Sequence, residues 1–156
     1  MTETIASNFP GVQVMMPHLV VKDARAAMAF YREAFAATEQ FCMMTPDGTR
    51  VMYAEVKIGS FSLALNDEFP DWGVHSPLSL QGSPVTLHLQ VEDADAWFER
   101  AVAAGATVSM PLENMFWGDR YGKLIDPFGH HWAIGTQIEQ LTPEEIKQRA
   151  TTAFAA

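Results

Sequence analysis

Residues Trp117–Trp132 read WGDRYGKLIDPFGHHW and have the grammar of a hairpin. A Gly118-Asp119 turn feeds a short extended run, Tyr121 to Ile125. Asp126-Pro127-Phe128-Gly129 then reverses the chain into His130-His131-Trp132-Ala133-Ile134. The turn formers act for separate reasons: aspartate bonds nearby backbone, proline fixes φ, and glycine reaches positive φ. An earlier stretch echoes this one. Gly48, Arg50 and Gly59 recur as Gly118, Arg120 and Gly129, an offset of 70 residues each time (118 − 48, 120 − 50, 129 − 59).

The same offset aligns His18-Leu19-Val20-Val21-Lys22-Asp23-Ala24-Arg25-Ala26 with His88-Leu89-Gln90-Val91-Glu92-Asp93-Ala94-Asp95-Ala96 without a gap. Histidine, leucine, valine, aspartate and two alanines match. Agreement at one offset over separate stretches indicates an internal duplication.

Each copy reads as β-α-β-β-β. In the first, Val12 to Val21 has strand character, and Asp23 is placed to cap a helix by accepting from the free N–H groups of its first turn. Ala27, Phe30, Tyr31, Ala34 and Phe35 make one apolar helical face. Strands are expected at residues 40–44, 50–58 and 61–66, separated by Pro46-Asp47-Gly48 and Gly59-Ser60. Residues 68–84 are rich in Pro, Gly, Ser and Asp and read as a linker. The second copy follows, with Val85, Leu87, Leu89 and Val91 on one strand face and Thr86, His88 and Gln90 on the other. Asp93 caps a helix with the stripe Ala94, Trp97, Phe98, Ala101 and Val102, which Gly105 ends. Strands are expected near residues 107–110, 121–125 and 131–135. Thr142-Pro143-Glu144-Glu145 then opens a C-terminal helix. The division is a flexible leader (1–11), a first module (12–67), a linker (68–84), a second module (85–137), and a C-terminal helix with tail (138–156).

Neither module buries much alone. Paired, they predict an α+β fold: two tandem βαβββ modules forming a curved mixed sheet, helices outside and a concave cleft inside. The 156 residues, with 48% hydrophobic and 19% charged, are a globular composition. A formal charge of −9 argues against nucleic acid or an anionic membrane as partner. Cys42 is the single cysteine, and the first eleven residues lack the basic and apolar regions of a signal peptide, so a reduced cytoplasmic setting is expected.

This pattern resembles the vicinal oxygen chelate superfamily, which includes glyoxalase I, bleomycin-resistance proteins and extradiol dioxygenases, and within it the PhnB-like branch. The residues carrying the resemblance are Pro17-His18-Leu19-Val20-Val21, Ala29-Phe30-Tyr31, Met52-Tyr53-Ala54-Glu55, Ala103-Ala104-Gly105-Ala106, and above all Phe116-Trp117-Gly118-Asp119-Arg120-Tyr121-Gly122 with Asp126-Pro127-Phe128-Gly129-His130. They span roughly residues 12–137. The resemblance implies a homodimer and a small-molecule ligand in the cleft. In metal-using members the ligands come from the first and last strand of each module. Those positions here are His18, Ala64, His88 and Ala133, so two ligands remain and two are alanine. Many branch members have histidine where this chain has Tyr53.

A catalytic divalent metal generally takes three protein ligands and keeps a position open. The remaining metal candidates, His18 and His88, form an incomplete set. No cofactor is expected beyond that possible divalent metal, and no glycine motif for a nucleotide cofactor is present. The two imidazoles suit acid/base work near neutral pH, or simply bond backbone and water. Glu55 either supplies the missing carboxylate, as a third catalytic group beside the two histidines, or is a solvated partner of Lys57. Tyr53, Trp117, Tyr121 and Trp132 are candidate substrate contacts, with core or interface packing as their alternative. Arg120 either receives an anionic substrate group or braces the hairpin in an Asp-Arg pair. The function expected is small-molecule binding rather than standard metal-dependent glyoxalase chemistry. The alternative is a metal-dependent enzyme using His18 and His88, so whether the chain is an enzyme stays open.

Overall fold

Asp23 and Asp93 open the two long helices identically, each lending a carboxylate oxygen to the backbone N–H three residues on, Ala26 at 3.0 Å and Ala96 at 3.1 Å. The computed structural model describes residues 10–155; the expected leader therefore lies, up to residue 9, outside the described residues. The first module is β1 (His18–Val21), α1 (Ala24–Phe35), β2 (Thr38–Met44), β3 (Val51–Ile58) and β4 (Phe61–Asp67). A 3-10 turn at Pro70–Trp72 and the short helix α2 (Pro77–Leu80) lie in the linker. The second module is β5 (Thr86–Gln90), α3 (Ala94–Ala104), β6 (Thr107–Asn114), β7 (Asp119–Ile125) and β8 (His131–Gln137), followed by α4 (Pro143–Ala153).

The sheets run β1-β4-β3-β2 and β5-β8-β7-β6, with the first and last strand of each module parallel. This is the tandem α+β arrangement expected from the repeat. Among the described residues no strand ladder joins the two sheets. The repeated glycines keep their conformation: φ is +71° at Gly48 and +97° at Gly118, and +60° at Gly59 and +88° at Gly129.

The predicted face of α1 is wholly buried against Leu19, Val21, Val56 and Leu65 of its own sheet. Helix α1 also packs on α3, so one core runs through both modules. On α3, Ala94, Phe98 and Ala101 are buried and Trp97 partly so. Val102, expected in the same stripe, is 40% exposed because it sits at the margin of that face.

One expected strand is shorter than its composition suggested. β1 begins at His18, while Val12 and Met15 are 88% and 96% exposed. The register His18↔Ala64 would set Met15 opposite Phe61, where β4 starts. Residues further upstream have no strand to pair with, and apolar composition alone makes no ladder.

The modules are joined through Asp126. Its buried carboxylate accepts four donors: the Tyr31 hydroxyl (2.7 Å) and Trp132 indole N–H (2.9 Å) on Oδ2, and the Phe128 and His130 N–H groups (both 2.9 Å) on Oδ1. Trp132 lies against Phe35 with ring centroids 4.4 Å apart. The His130 ring donates from Nε2 to the Val20 carbonyl of the first module at 2.9 Å. The turn at Asp126–Gly129 is thus the joint of the molecule, and α2 closes over it.

Candidate functional site

With the helix on one side of each sheet, alternation puts a second set of side chains on the opposite, open face. In the first sheet the ladder register sets His18 beside Ala64 and Ala64 beside Glu55, with Phe41 opposite Glu55 on the edge strand. The next row on that face carries Val20, Asn66 and Tyr53. In the second sheet His88 stands beside Ala133, and Ala133 beside Lys123. The register therefore gives Ala64, rather than Leu63, as the neighbour of His18.

His18 packs edge-on to Tyr53, centroids 5.7 Å apart, and the Tyr53 hydroxyl donates to Glu55 Oε2 at 3.4 Å. These three sequence candidates are brought together. Partial burial, and secondarily the neighbouring Glu55 charge, raise the Tyr53 pKa above its usual value, so the phenol stays protonated. Asn66 orients the imidazole. Its Nδ2 donates to the Asp67 carbonyl at 2.7 Å, which leaves Oδ1 to accept from His18 Nε2.

His88 is held in a parallel way. Its Nε2 meets Gln90 Oε1 at 2.7 Å, and its ring stacks on Tyr121 at 5.8 Å, with Trp117 edge-on to Tyr121 at 5.4 Å. Gly135, opposite Tyr121 on β8, makes room for this group: a Cβ there would lie 3.1 Å from Gln90 Oε1 and 3.3 Å from the His88 ring. Asn66, Gln90 and Gly135 were not singled out in the sequence. Their signal was alternation, which put Gln90 on the same strand face as His88.

Two expected contacts lie elsewhere. Trp132 is 2% exposed, its N–H spent on Asp126, so it belongs to the core and not to the open face. Arg120 alternates with Tyr121 and projects to the other side of β7, where it forks onto Asp95 at the start of α3 with contacts of 2.7 and 2.9 Å. The Asp-Arg pair is real, but its acid is Asp95 and not the adjacent Asp119. The same carboxylate holds Arg120 above its usual pKa, chiefly by hydrogen bonding.

The donor set does not fit a catalytic metal. Both ladder neighbours of the histidines are alanine. At His18 the facing Asn66 amide is oriented by the Asp67 carbonyl, so that Nε2 donates to Oδ1 and has no lone pair to offer. No group of three His, Cys, Asp or Glu residues converges among the described residues.

Comparison with known proteins agrees with this architecture. Residues 12–134 match the Glyoxalase/Bleomycin resistance protein/Dioxygenase superfamily. An uncharacterised protein of Mycobacterium bovis is 48% identical over 136 residues, covering 85% of this chain and 89% of its own. The X-ray structure of a gene product of Arabidopsis thaliana is similar with a TM-score of 0.65 at 28% identity, over 80% of this chain and 98% of that one. A PhnB protein from Bacillus cereus shares the fold, with a TM-score of 0.61 at 19% identity over 80% and 99% of the two chains. On the family match and the Mycobacterium relative together, the chain belongs to the Glyoxalase/Bleomycin resistance protein/Dioxygenase superfamily.

Proposed function

We propose that this chain is a PhnB-like member of its superfamily that binds a small amphiphilic molecule on its open faces, in a homodimer, without standard metal-dependent chemistry. One observation carries the reading: each cleft histidine is engaged by an amide and flanked by a tyrosine, and has alanine where a further ligand would stand. Such a surface offers aromatic contact and a few fixed polar groups, which is the make-up of a binding site for a small molecule.

The dimer is supported by what one chain leaves uncovered. Phe41 and Met43 are 51% and 42% exposed on the open face of edge strand β2, and Val12 and Met15, which precede β1 at the opposite edge, are exposed as well. A second copy brings its own module over that face and makes a cleft from two half-sites. The lone Cys42 suits a reduced cytoplasmic setting. No helix among the described residues is long and apolar enough to cross a membrane.

The test is a thermal-shift screen of aromatic and cationic amphiphiles against the untagged protein, in EDTA and in added Ni, Zn, Mn and Fe(II). Stabilisation by a ligand in EDTA, lost in Tyr53→Ala and Tyr121→Ala, supports the reading. One metal bound per cleft and lost in both His18→Ala and His88→Ala overturns it in favour of a metal-dependent enzyme. A metal-independent acid/base enzyme draws its support from the Tyr53–Glu55 contact, and turnover abolished by Glu55→Gln would identify it.

A further inference from the structure

The duplication supplies an internal control for a cavity that lies off the open faces. In the second module Arg120 is paired with Asp95. The residues 70 positions earlier are Arg50 and Arg25. The scaffold around them is the same: Ala24 N–H donates to Asp67 as Ala94 N–H donates to Thr136, and Asp23 and Asp93 cap their helices alike. Only the charge pattern changes. An ion pair has become two guanidinium groups, Glu92 has become Lys22, and the Thr136 hydroxyl has become the Asp67 carboxylate.

Lys22, Arg25 and Arg50 line one open cavity of about 600 Å³ at the end of the first sheet. The acids at its wall are already committed. Asp67 accepts from the Ala24 and Val51 N–H groups, both at 2.6 Å, Asp23 caps α1, and Glu68 accepts from Ser76 N–H at 2.7 Å. Lys22 lies near Glu68 without touching it, and among the described residues none of the three cations has a carboxylate within ion-pair distance. Arg50 is held in place, its guanidinium 4.4 Å above the Phe69 ring, which is stacked on Trp72, and one N–H reaches the Glu68 carbonyl at 3.4 Å. Arg25 touches only the Met44 sulfur, at 3.4 Å. In a chain of net charge −9, these three exposed cations line one cavity without an ion-paired carboxylate and are open to an anion from solution.

We infer that this cavity binds the oxyanion group, phosphate or carboxylate, of a small molecule, with Arg25 and Arg50 as forked donors and Lys22 as the third cation. The bound anion takes the place that Asp95 fills in the second module. Guanidinium forks match such groups in geometry as well as charge. The cavity is large enough for a molecule bigger than the anion alone. None of these residues belongs to the rows of His18 or His88, so the site stands or falls independently of the function proposed above.

The experiment measures Tm at low ionic strength with inorganic phosphate or malonate against sodium chloride of equal ionic strength. Either anion should raise the wild-type Tm beyond the chloride control, the stronger one naming the preferred group. Arg25→Asp, which rebuilds the Arg120–Asp95 pair in the first module, should lose that response while its Tm in anion-free buffer stays at or above wild type. Arg50→Gln should weaken anion affinity about tenfold or more, the loss of one charge-assisted contact. Equal responses to chloride and to the oxyanions, or an Arg25→Asp variant that responds like wild type, would overturn the assignment.

Discussion

The Tyr31 hydroxyl donates to Asp126 across 95 positions of sequence, at 2.7 Å, and ties the helix of the first module to the turn of the second. Both groups are buried, and removing the hydroxyl leaves a buried carboxylate with one donor fewer. Tyr31→Phe should therefore cost about 1–3 kcal/mol. Burial, and then the charge and hydrogen bond of Asp126, raise the Tyr31 pKa well above 10.0. A raised pKa means that this contribution is complete below the unfolded-state value of about 10 and is lost as pH climbs beyond it. Urea unfolding at pH 7 and above pH 10 should show the gap between wild type and Tyr31→Phe closing at the higher pH.

Gly129 and Gly59 occupy equivalent turns, but only one is crowded. A Cβ at Gly129 would lie 2.9 Å from the Pro77 Cβ, whereas nothing lies within 4 Å of one at Gly59. Gly59→Ala should cost about 1–2 kcal/mol for the left-handed backbone alone. Gly129→Ala adds overpacking against α2, for about 2–5 kcal/mol in total. Equal losses of stability in the two variants would contradict this view of the joint.

Glu68 carries an acid-sensitive contact. Hydrogen bonding from Ser76, whose N–H lies 2.7 Å from the carboxylate, and from Ser79, with Lys22 adding to it, lowers its pKa from 4.5 to about 2. A depressed pKa contributes stability above the unfolded value and loses it as pH falls through the folded one. The wild type should therefore weaken between about pH 4.5 and about 2 more steeply than Glu68→Gln, as read by thermal melts across that range.

His18→Ala and His88→Ala should each change stability by about 1 kcal/mol or less, since both rings are exposed and bonded to a single side-chain amide. Metal content by elemental analysis should be the same in wild type and both variants, and EDTA should leave all three Tm values where they were.

Local chemistry was the legible part of this chain. Asp23, Asp93 and the Thr142–Glu145 capping box announce helix starts because a cap and its target N–H lie within one turn. The positive-φ glycines announce turns for the same reason. Partners from distant elements were not legible. The acid for Arg120 lies 25 residues upstream on α3, and adjacency pointed instead to Asp119. Trp132 pairs with Leu87 on the core face of its sheet, and the rings that bury it, Tyr31 and Phe35, belong to the other module. The strand expected from Val12 failed on pairing, which composition does not encode. The rows of His18 and His88 were legible because the repeat transferred one reading onto the other.

The joint between the modules is made of side chains around Asp126 and of α1 against α3, with no strand ladder crossing it among the described residues. A ladder would tie each substitution on one sheet to the register of the other. Here the modules share a core but no strand register, so descendants of the duplicated gene can rewrite one open face while the other is held constant. Glu55 and Lys123, opposite in charge at corresponding places beside Ala64 and Ala133, record that independent drift.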